Sequence, residues 1–481
     1  MVGKSKEIHG IWSHARIYAI GSVINRAAGI VLIPLYAHLL PASDYGLYTI
    51  AVVTADMAAV LIAGVVGTAM VRIYLESDNP ERRAVVAATA FASVTLLGLV
   101  AAAVAHPLAE FTSRMLFDSN DHRKLLEFAI YGSILSLLFN LELDYFRAEK
   151  RPWMFLLLSS AKSVTIFASS YVLVAYFNLG VMGVVMATAA TFFVIAIATL
   201  ISLLRRTGLH FDVACARAML TLGLPMLPAR MADLSTEFTD KYFINAFVSA
   251  AAVGHYSLAQ RLVSLLQSFI ASPFAQVWIV RRLETLGDND EQEVFARIFT
   301  VFLAVMAGAG LILATYAPEI IAVISSEQYQ AAAALVPVLA LSMAIMPIDM
   351  NFQLGIIHAK KTVFLLYASL VAALVNVLFM YLLVRGYAVF GATLALLLTN
   401  AIRVALVAWF SLRFCDSKLR FEWGRTALLL SGAVVSYLVV RGLFGEAVAV
   451  TTSVAKLPVL AVYGLLAQWI ALRSTPATVR P

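Results

Sequence analysis

Fourteen ionisable side chains stand inside long apolar runs of this chain: Arg16, Arg26, Asp56, Glu142, Asp144, Lys162, Arg230, Asp233, Glu237, Asp240, Lys241, Arg261, Asp349 and Arg403. Each costs roughly 2.5–3.5 kcal/mol at the centre of a membrane helix, so each is expected to face a partner, water or a ligand. The arginines suit a phosphate, because the planar guanidinium makes bidentate bonds and stays charged. The carboxylates could carry protons or a coupling cation, although each taken singly is most simply paired with a nearby arginine. At about 100° per residue, Arg230, Asp233, Glu237, Asp240 and Lys241 fall within one stripe, which must line a cavity or meet another polar stripe. Glu237 and Lys241 are four apart and Arg230 and Asp233 three apart, spacings that also allow neutralisation along the helix. Arg261, Ser264 and Ser268 share one face of the next helix. Lys456 stands nearer a helix end and is expected to snorkel.

The elements that hold these groups follow from composition. Of 481 residues 62% are hydrophobic and 13% charged, half the charge of a soluble domain, which is about 25%. With a mean hydropathy of +0.88, the chain reads as an all-α polytopic membrane protein, since a span needs about 20 apolar residues. Fourteen helices are expected, at about 12–38, 44–72, 83–105, 124–147, 152–177, 181–204, 217–247, 251–280, 294–317, 328–357, 361–384, 388–413, 424–443 and 447–472. The runs lack the alternation of barrel strands. Gly21, Gly29 and Pro34 interrupt the first helix, and Pro225 and Pro228 open the seventh. Two cysteines, Cys215 and Cys415, build neither a disulfide framework nor a metal site. No cleavable-signal pattern is read at the start. The net charge of +7 points to cytoplasmic loops rather than to nucleic acid.

Lys and Arg test the count. With a cytoplasmic N-terminus, 22 of the 35 fall in inside segments and 5 in outside segments (Arg114, Arg123, Lys124, Arg385 and Arg441). This bias obeys the positive-inside rule and puts both termini in the cytoplasm. No loop is much longer than 20 residues, so function lies among the helices. Gly46-Leu47-Tyr48-Thr49-Ile50-Ala51 is similar to Gly254-His255-Tyr256-Ser257-Leu258-Ala259, and Gly183 and Ala187 to Gly391 and Ala395, both at an offset of 208. The offset predicts two six-helix bundles related by a parallel pseudo-two-fold repeat. The organisation reads as a cytoplasmic N-terminus (1–11), a first bundle (12–204), a linker (205–216), a second bundle (217–413), a loop (414–423), two extra helices (424–472) and a tail (473–481).

Three stretches carry a family resemblance. IYAIGSVINRAAGIVLIPLYAHLLPASDYGLYTIAVV, with its turn from Leu39 to Tyr48, resembles the opening of Wzx-type polysaccharide-biosynthesis flippases of the MOP transporter superfamily. DKYFINAFVSAAAVGHYSLAQRL resembles the family's second-bundle start, and VNVLFMYLLVRGYAVFGATLALLLTN its helix eleven to twelve corner. Two further acids precede Asp240-Lys241, which leaves the coupling ion open. The resemblance implies two bundles in a V around a cavity that opens alternately to each side. It also implies transfer of an undecaprenyl-pyrophosphate-linked oligosaccharide from the cytoplasmic to the periplasmic leaflet of a bacterial inner membrane. Arg16, Arg26, Arg230 and Arg261 would hold the pyrophosphate. Asp56, Glu142, Asp144, Asp233, Glu237, Asp240, Lys241, Lys162 and Arg403 would serve the cavity or the coupling. No cofactor is expected; a P-loop of the form GxxxxGK[ST] is absent, so a proton or sodium gradient, membrane potential or the substrate gradient would drive transport. Partners would be the lipid-linked oligosaccharide, membrane lipids, and a glycan polymerase and chain-length regulator. A cation-coupled drug or metabolite exporter of the same superfamily is the alternative. A membrane-embedded glycan polymerase or ligase is a third, although HExxH and GxSxG are absent.

The topology is checked by placing a cysteine at Lys150 in a background lacking Cys215 and Cys415. It should react with an impermeant thiol reagent only in opened cells. Labelling in intact cells would overturn the map.

Overall fold

The computed structural model describes residues 31–63, 66–117, 119–208, 210–285, 291–414, 421–445 and 454–473. No strand occurs among them. The helices are α1 (31–39), α2 (Ala42–Ala63), α3 (Val66–Glu76), α4 (Pro80–Phe117), α5 (Arg123–Ala148), α6 (Pro152–Tyr171), α7 (Gly180–Thr207), α8 (Val213–Gly223), α9 (Leu227–Phe247), α10 (Ala250–Leu266), α11 (Ser272–Thr285), α12 (Glu291–Thr315), α13 (Ala317–Ile324), α14 (Val336–His358), α15 (Val363–Phe414), α16 (Trp423–Phe444) and α17 (Leu457–Arg473). Nine continuous helical stretches among the described residues are long and apolar enough to cross a membrane. The chain is a multi-pass membrane protein.

Local chemistry explains the boundaries. Prolines sit at the start of α4 and α6 and in the first turns of α13 and α14, where the missing N–H costs nothing. Asp212 caps α8 by accepting from the Ala214 N–H at 2.8 Å, and Ser249 caps α10 by accepting from Ala252 at 3.1 Å. Inside the spans, hydroxyls are satisfied by carbonyls one turn back, as at Thr54, Thr191 and Thr300. The α4 helix shows the two faces that a membrane imposes. Ala87, Ala90, Phe91, Val94, Ala101, Ala105 and Ala109 are buried, while Leu96, Leu99, Val100 and Val104 are exposed on the other side, as hydrocarbon contact requires.

The described residues form two compact units, divided between Leu234 and Ser235. In the first, α2, α4, α5 and α7 pack through small residues, with Ala51, Ala55, Ala105 and Ala109 around Leu126 and Ile130. A second cluster centres on Met70, Phe91, Phe139 and Tyr145. In the second unit α14 lies along α15, and α16 and α17 pack on α12 through Ala307, Leu311, Ala433 and Tyr463.

The 208-residue offset has a backbone counterpart. Both α2 and α10 reach their matched glycine, Gly46 or Gly254, at the fifth residue. Gly180 opens α7 at φ +51°, and Ala388 interrupts α15 at φ 50°, again 208 positions apart. The first position uses glycine, which adopts this conformation freely; the second forces alanine into it. Helices α5 and α14 end alike. Two residues past each end, Lys150 (φ 56°) and Lys360 (φ 57°) adopt the left-handed conformation. The next N–H, of Arg151 or Lys361, bonds back to Phe146 or Ile356 in a Schellman closure.

Several boundaries differ from the sequence reading. The third helix runs to Phe117 rather than 105, through Pro107, so most of the expected outside loop 106–123 is helical and Arg114 pairs with Glu110 at 2.5 Å. The Ala-rich run continues because its small face stays packed, Ala105 and Ala109 being buried with Leu126 and Ile130. The seventh helix is two, α8 and α9, joined by a tight turn at Leu224–Met226, where Pro225 and Pro228 remove donors. A short α13 and the 3-10 segment Glu327–Leu335 replace part of the loop and start of the tenth helix. The eleventh and twelfth helices are two, as expected: α15 turns back on itself at Ala388, which brings the Phe364 ring to 5.3 Å from that of Phe414 and Lys361 Nζ to 2.7 Å from the Phe414 carbonyl. The expected start of the last helix, at 447, lies outside the described residues; helix is present at 454–455 and again from Leu457.

A Cβ on Gly391 would lie 2.0 Å from the Leu383 carbonyl oxygen, whereas one on Gly464 would meet nothing within 4 Å. Gly391→Ala should therefore destabilise the protein by about 1–3 kcal/mol, and Gly464→Ala should not. Equal yields of monodisperse protein in detergent for both variants would contradict this packing.

Candidate functional site

In the first unit, α2, α5, α6 and α7 surround a cavity of about 280 Å³. Asp56 from α2, Asn140 from α5, Lys162 from α6 and Thr188 from α7 line it, with Phe128, Phe139 and Phe192 as walls. The Ser133 hydroxyl donates to Asp56 Oδ1 at 2.7 Å, tying α5 to α2. Lys162 Nζ lies 5.2 Å from the centroid of the Phe139 ring, close enough for a cation–π contact. Ser133, Ser136 and Asn140 follow one another at i, i+3 and i+7, the spacing that keeps them on one face of α5.

Two other acids of this unit stand further along α5. Glu142 is buried and accepts from the Thr199 hydroxyl of α7. Asp144 accepts from Arg147 Nη1 at 2.8 Å one turn away. Asp144 thus takes the arginine expected for a carboxylate at depth. Asp56 and Glu142 each accept from a hydroxyl of a neighbouring helix, and so bond helix to helix.

Among the described residues the second unit holds three largely buried ion pairs, Lys241 with Asp240, Arg403 with Asp349 and Lys456 with Glu319. On α9, Lys241 Nζ meets Asp240 Oδ1 at 2.8 Å, both side chains being almost fully buried. Gln260 of α10 donates to the other Asp240 oxygen at 3.4 Å, and the Tyr256 ring lies 5.6 Å from the ammonium. Between α14 and α15, Arg403 reaches Asp349 at 3.5 Å, and Gln353 donates to the same carboxylate at 2.5 Å. Asn400 donates to Ser342 at 2.8 Å, and Thr399 to Asn376 at 3.4 Å. Arg261 is half-buried on α10, its carbonyl accepting from Ser264.

The sequence-predicted residues distribute accordingly. Asp56 and Lys162 share a cavity, Asp240 joins Lys241, and Arg403 joins Asp349. Glu142 bonds α5 to α7, and Asp144 pairs along α5 itself. Arg16 and Arg26 lie outside the described residues, as do the side chains of Arg230, Asp233 and Glu237 on α9. Lys456 does not snorkel. It is 1% exposed, pairs with Glu319 of α13 and donates to the Thr315 carbonyl at 3.3 Å, because α13 folds over it. Uncharged polar residues went unseen in the sequence: Ser133, Asn140, Ser342, Asn376 and Asn400. For Ser133 and Asn140 the available signal was their spacing with Ser136, at i, i+3 and i+7. Among the described residues, no group of three or more His, Cys, Asp or Glu could hold a metal ion.

Residues 35–334 match the family model described as polysaccharide biosynthesis protein. The chain belongs to that family. No curated protein matches its sequence. Among solved structures it is similar to the lipid II flippase MurJ in an inward closed conformation, at 15% identity and a TM-score of 0.72, covering 95% of this chain and 97% of that one. It is also similar to a multidrug resistance MATE family transporter of the MOP superfamily in its inward-facing conformation, at 16% identity and a TM-score of 0.66, covering 85% and 96%. A point mutant of the MATE transporter VcmN of Vibrio cholerae matches at 17% identity and a TM-score of 0.53, over 85% and 97%. The fold is that of MOP-superfamily flippases and transporters.

Breaking a buried pair strands one charge, at about 3–5 kcal/mol, whereas removing both partners costs far less. Lys241→Met should lower the melting temperature in detergent more than the Asp240→Asn/Lys241→Met double variant. A double variant that melts lower than the single one would show that the pair contributes net stability instead.

Proposed function

We propose that this protein is a flippase that carries an undecaprenyl-pyrophosphate-linked oligosaccharide from the cytoplasmic to the periplasmic leaflet of the bacterial inner membrane. It does so by alternating access, for exopolysaccharide, capsule or O-antigen synthesis, and both termini are cytoplasmic. The observation that carries this reading is the family match over residues 35–334, on a fold of which a lipid II flippase is one example. The sequence supports it with arginines at depth in the first, seventh and eighth helices, Arg26, Arg230 and Arg261. A pyrophosphate needs cations on more than one side, and these come from both halves of the repeat. Closing around the anion draws on differential binding to shift the access equilibrium. Arg16 adds a further cation to the first helix.

Coupling to a proton or sodium gradient is assigned to the carboxylates of the spans, Asp56, Asp233 and Glu237 first. A glycan polymerase and a chain-length regulator are the natural partners at the periplasmic face, since they would consume the delivered oligosaccharide. The exporter reading gains from the shared fold with the multidrug MATE transporters, but the family match favours the glycan.

The test is glycan export in cells, normalised to protein in the membrane. Arg26→Ala, Arg230→Ala and Arg261→Ala should each lower export by about tenfold or more, a loss of roughly 1.4 kcal/mol in binding. Lysine at the same positions should rescue only in part, because it keeps the charge without the bidentate fork. Full export by all three alanine variants would remove the pyrophosphate role from these arginines. Extrusion of organic cations by the wild type, with no glycan transfer, would favour the exporter.

A further inference from the structure

The cavity of the first unit contains a cation that no carboxylate answers. Lys162 is the eleventh residue of the 25-residue span Pro152–Tyr176, so it stands at mid-membrane. Among the described residues its ammonium forms no ion pair, and its nearest defined partner is the Phe139 ring at 5.2 Å. The second unit treats its intramembrane cations differently: Lys241 is held by Asp240 at 2.8 Å and Arg403 by Asp349 at 3.5 Å. An ionisable group at such depth faces a functional partner by default, and the cavity beside Lys162 leaves room for one from outside the chain.

The remaining lining defines that partner. Asp56 contributes a carboxylate, which accepts from Ser133. Asn140 supplies amide donors and an acceptor, and Ser136 and Thr188 add hydroxyls. Phe139 and Phe192 provide apolar faces. A bare phosphate would make no use of those faces, and an inorganic cation would be repelled by Lys162. A pyranose ring uses all of them. Its hydroxyls donate to Asp56 and accept from Asn140, its C–H face lies on an aromatic ring, and a carboxylate on the ring makes a charge-assisted bond to Lys162. The volume of about 280 Å³ equals some nine waters at roughly 30 Å³ each, room for one ring rather than a chain.

We propose that this intra-unit cavity, built by Asp56, Asn140 and Lys162, binds a single carboxylate-bearing sugar ring, a hexuronate, of the transported glycan. The proposal rests on the glycan-flippase reading for its biological setting, but the binding can be measured without it.

The experiment is calorimetric titration of the purified full-length protein in nanodiscs with glucuronate, glucose and inorganic phosphate. Glucuronate should bind saturably and about tenfold or more tighter than glucose or phosphate. Lys162→Gln should weaken glucuronate by about tenfold while leaving glucose unchanged, and Lys162→Arg should stay within about threefold of wild type. If Lys162→Gln does not fold, the melting temperatures of wild type and Lys162→Arg decide, and both should rise with glucuronate but not with glucose. No saturable glucuronate binding up to about 50 mM, far above the roughly 1 mM of a weak site, would overturn the proposal. Equal affinity for glucose would do the same, and phosphate binding as tightly as glucuronate would make this a general anion site instead. A wild-type protein that binds glucuronate yet moves no lipid-linked glycan in proteoliposomes would keep the site and remove the flippase reading. Transfer of a lipid-linked glycan without glucuronate binding would do the reverse.

Discussion

Hydrocarbon offers no hydrogen bonds, so a polar group inside a membrane helix must find its partner within the protein or its cargo. That constraint organises this molecule more than the apolar packing does. Lipid tails are as apolar as leucine, and burying leucine against leucine gains little in a membrane. What fixes which helix lies beside which is the pairing of the few polar groups. Ser133 with Asp56 sets α5 on α2, Thr199 with Glu142 sets α7 on α5, and Asn400 with Ser342 and Arg403 with Asp349 set α15 on α14. Small residues such as Ala51, Ala105 and Ala109 then allow the close approach that those bonds need.

The helical class, the approximate span positions and the repeat were legible in the sequence because hydropathy and Lys/Arg placement respond to the bilayer, which acts on every residue alike. The misplaced ends have local causes that hydropathy does not register. α4 continues past the expected end because Ala105 and Ala109 go on packing against Leu126 and Ile130, a small-residue contact that carries little hydropathy. The seventh helix breaks because Pro225 and Pro228 lie close enough together to force a tight turn. Lys456 looked like a snorkelling lysine by its position; only the fold of α13 brings Glu319 to it from 137 residues away.

Legibility of the candidate site divides along charge. Charged residues in apolar runs stand out by their cost, and Asp56, Lys162, Asp240, Lys241 and Arg403 were all visible on that ground. Their pairings were not. The acid that answers Arg403 is 54 positions away, and the serine that bonds to Asp56 is 77 positions away. Serine, threonine and asparagine carry no such alarm, since a hydroxyl can always bond to its own helix, as Thr54 and Thr191 do. The residues that turn a hole into a selective cavity were therefore the hardest to see. The spacing of Ser133, Ser136 and Asn140 was the clue that periodicity could have offered.

Duplication explains how one scaffold came to hold two different interiors. The two halves keep the same backbone solutions at matching points: a left-handed residue at Gly180 and Ala388, and a Schellman closure through Lys150 and Lys360. Ala388 shows how strongly the geometry is held, since alanine accepts a conformation that glycine would adopt at little cost. The side chains inside have diverged. In the second unit Lys241 and Arg403 are neutralised by acids of the same unit. In the first, Lys162 stands beside a cavity. Backbone geometry is preserved because a change in either half would have to move whole helices. Charge pairing can drift one residue at a time, so a duplicated membrane fold can keep its backbone while its two interiors come to hold different polar groups.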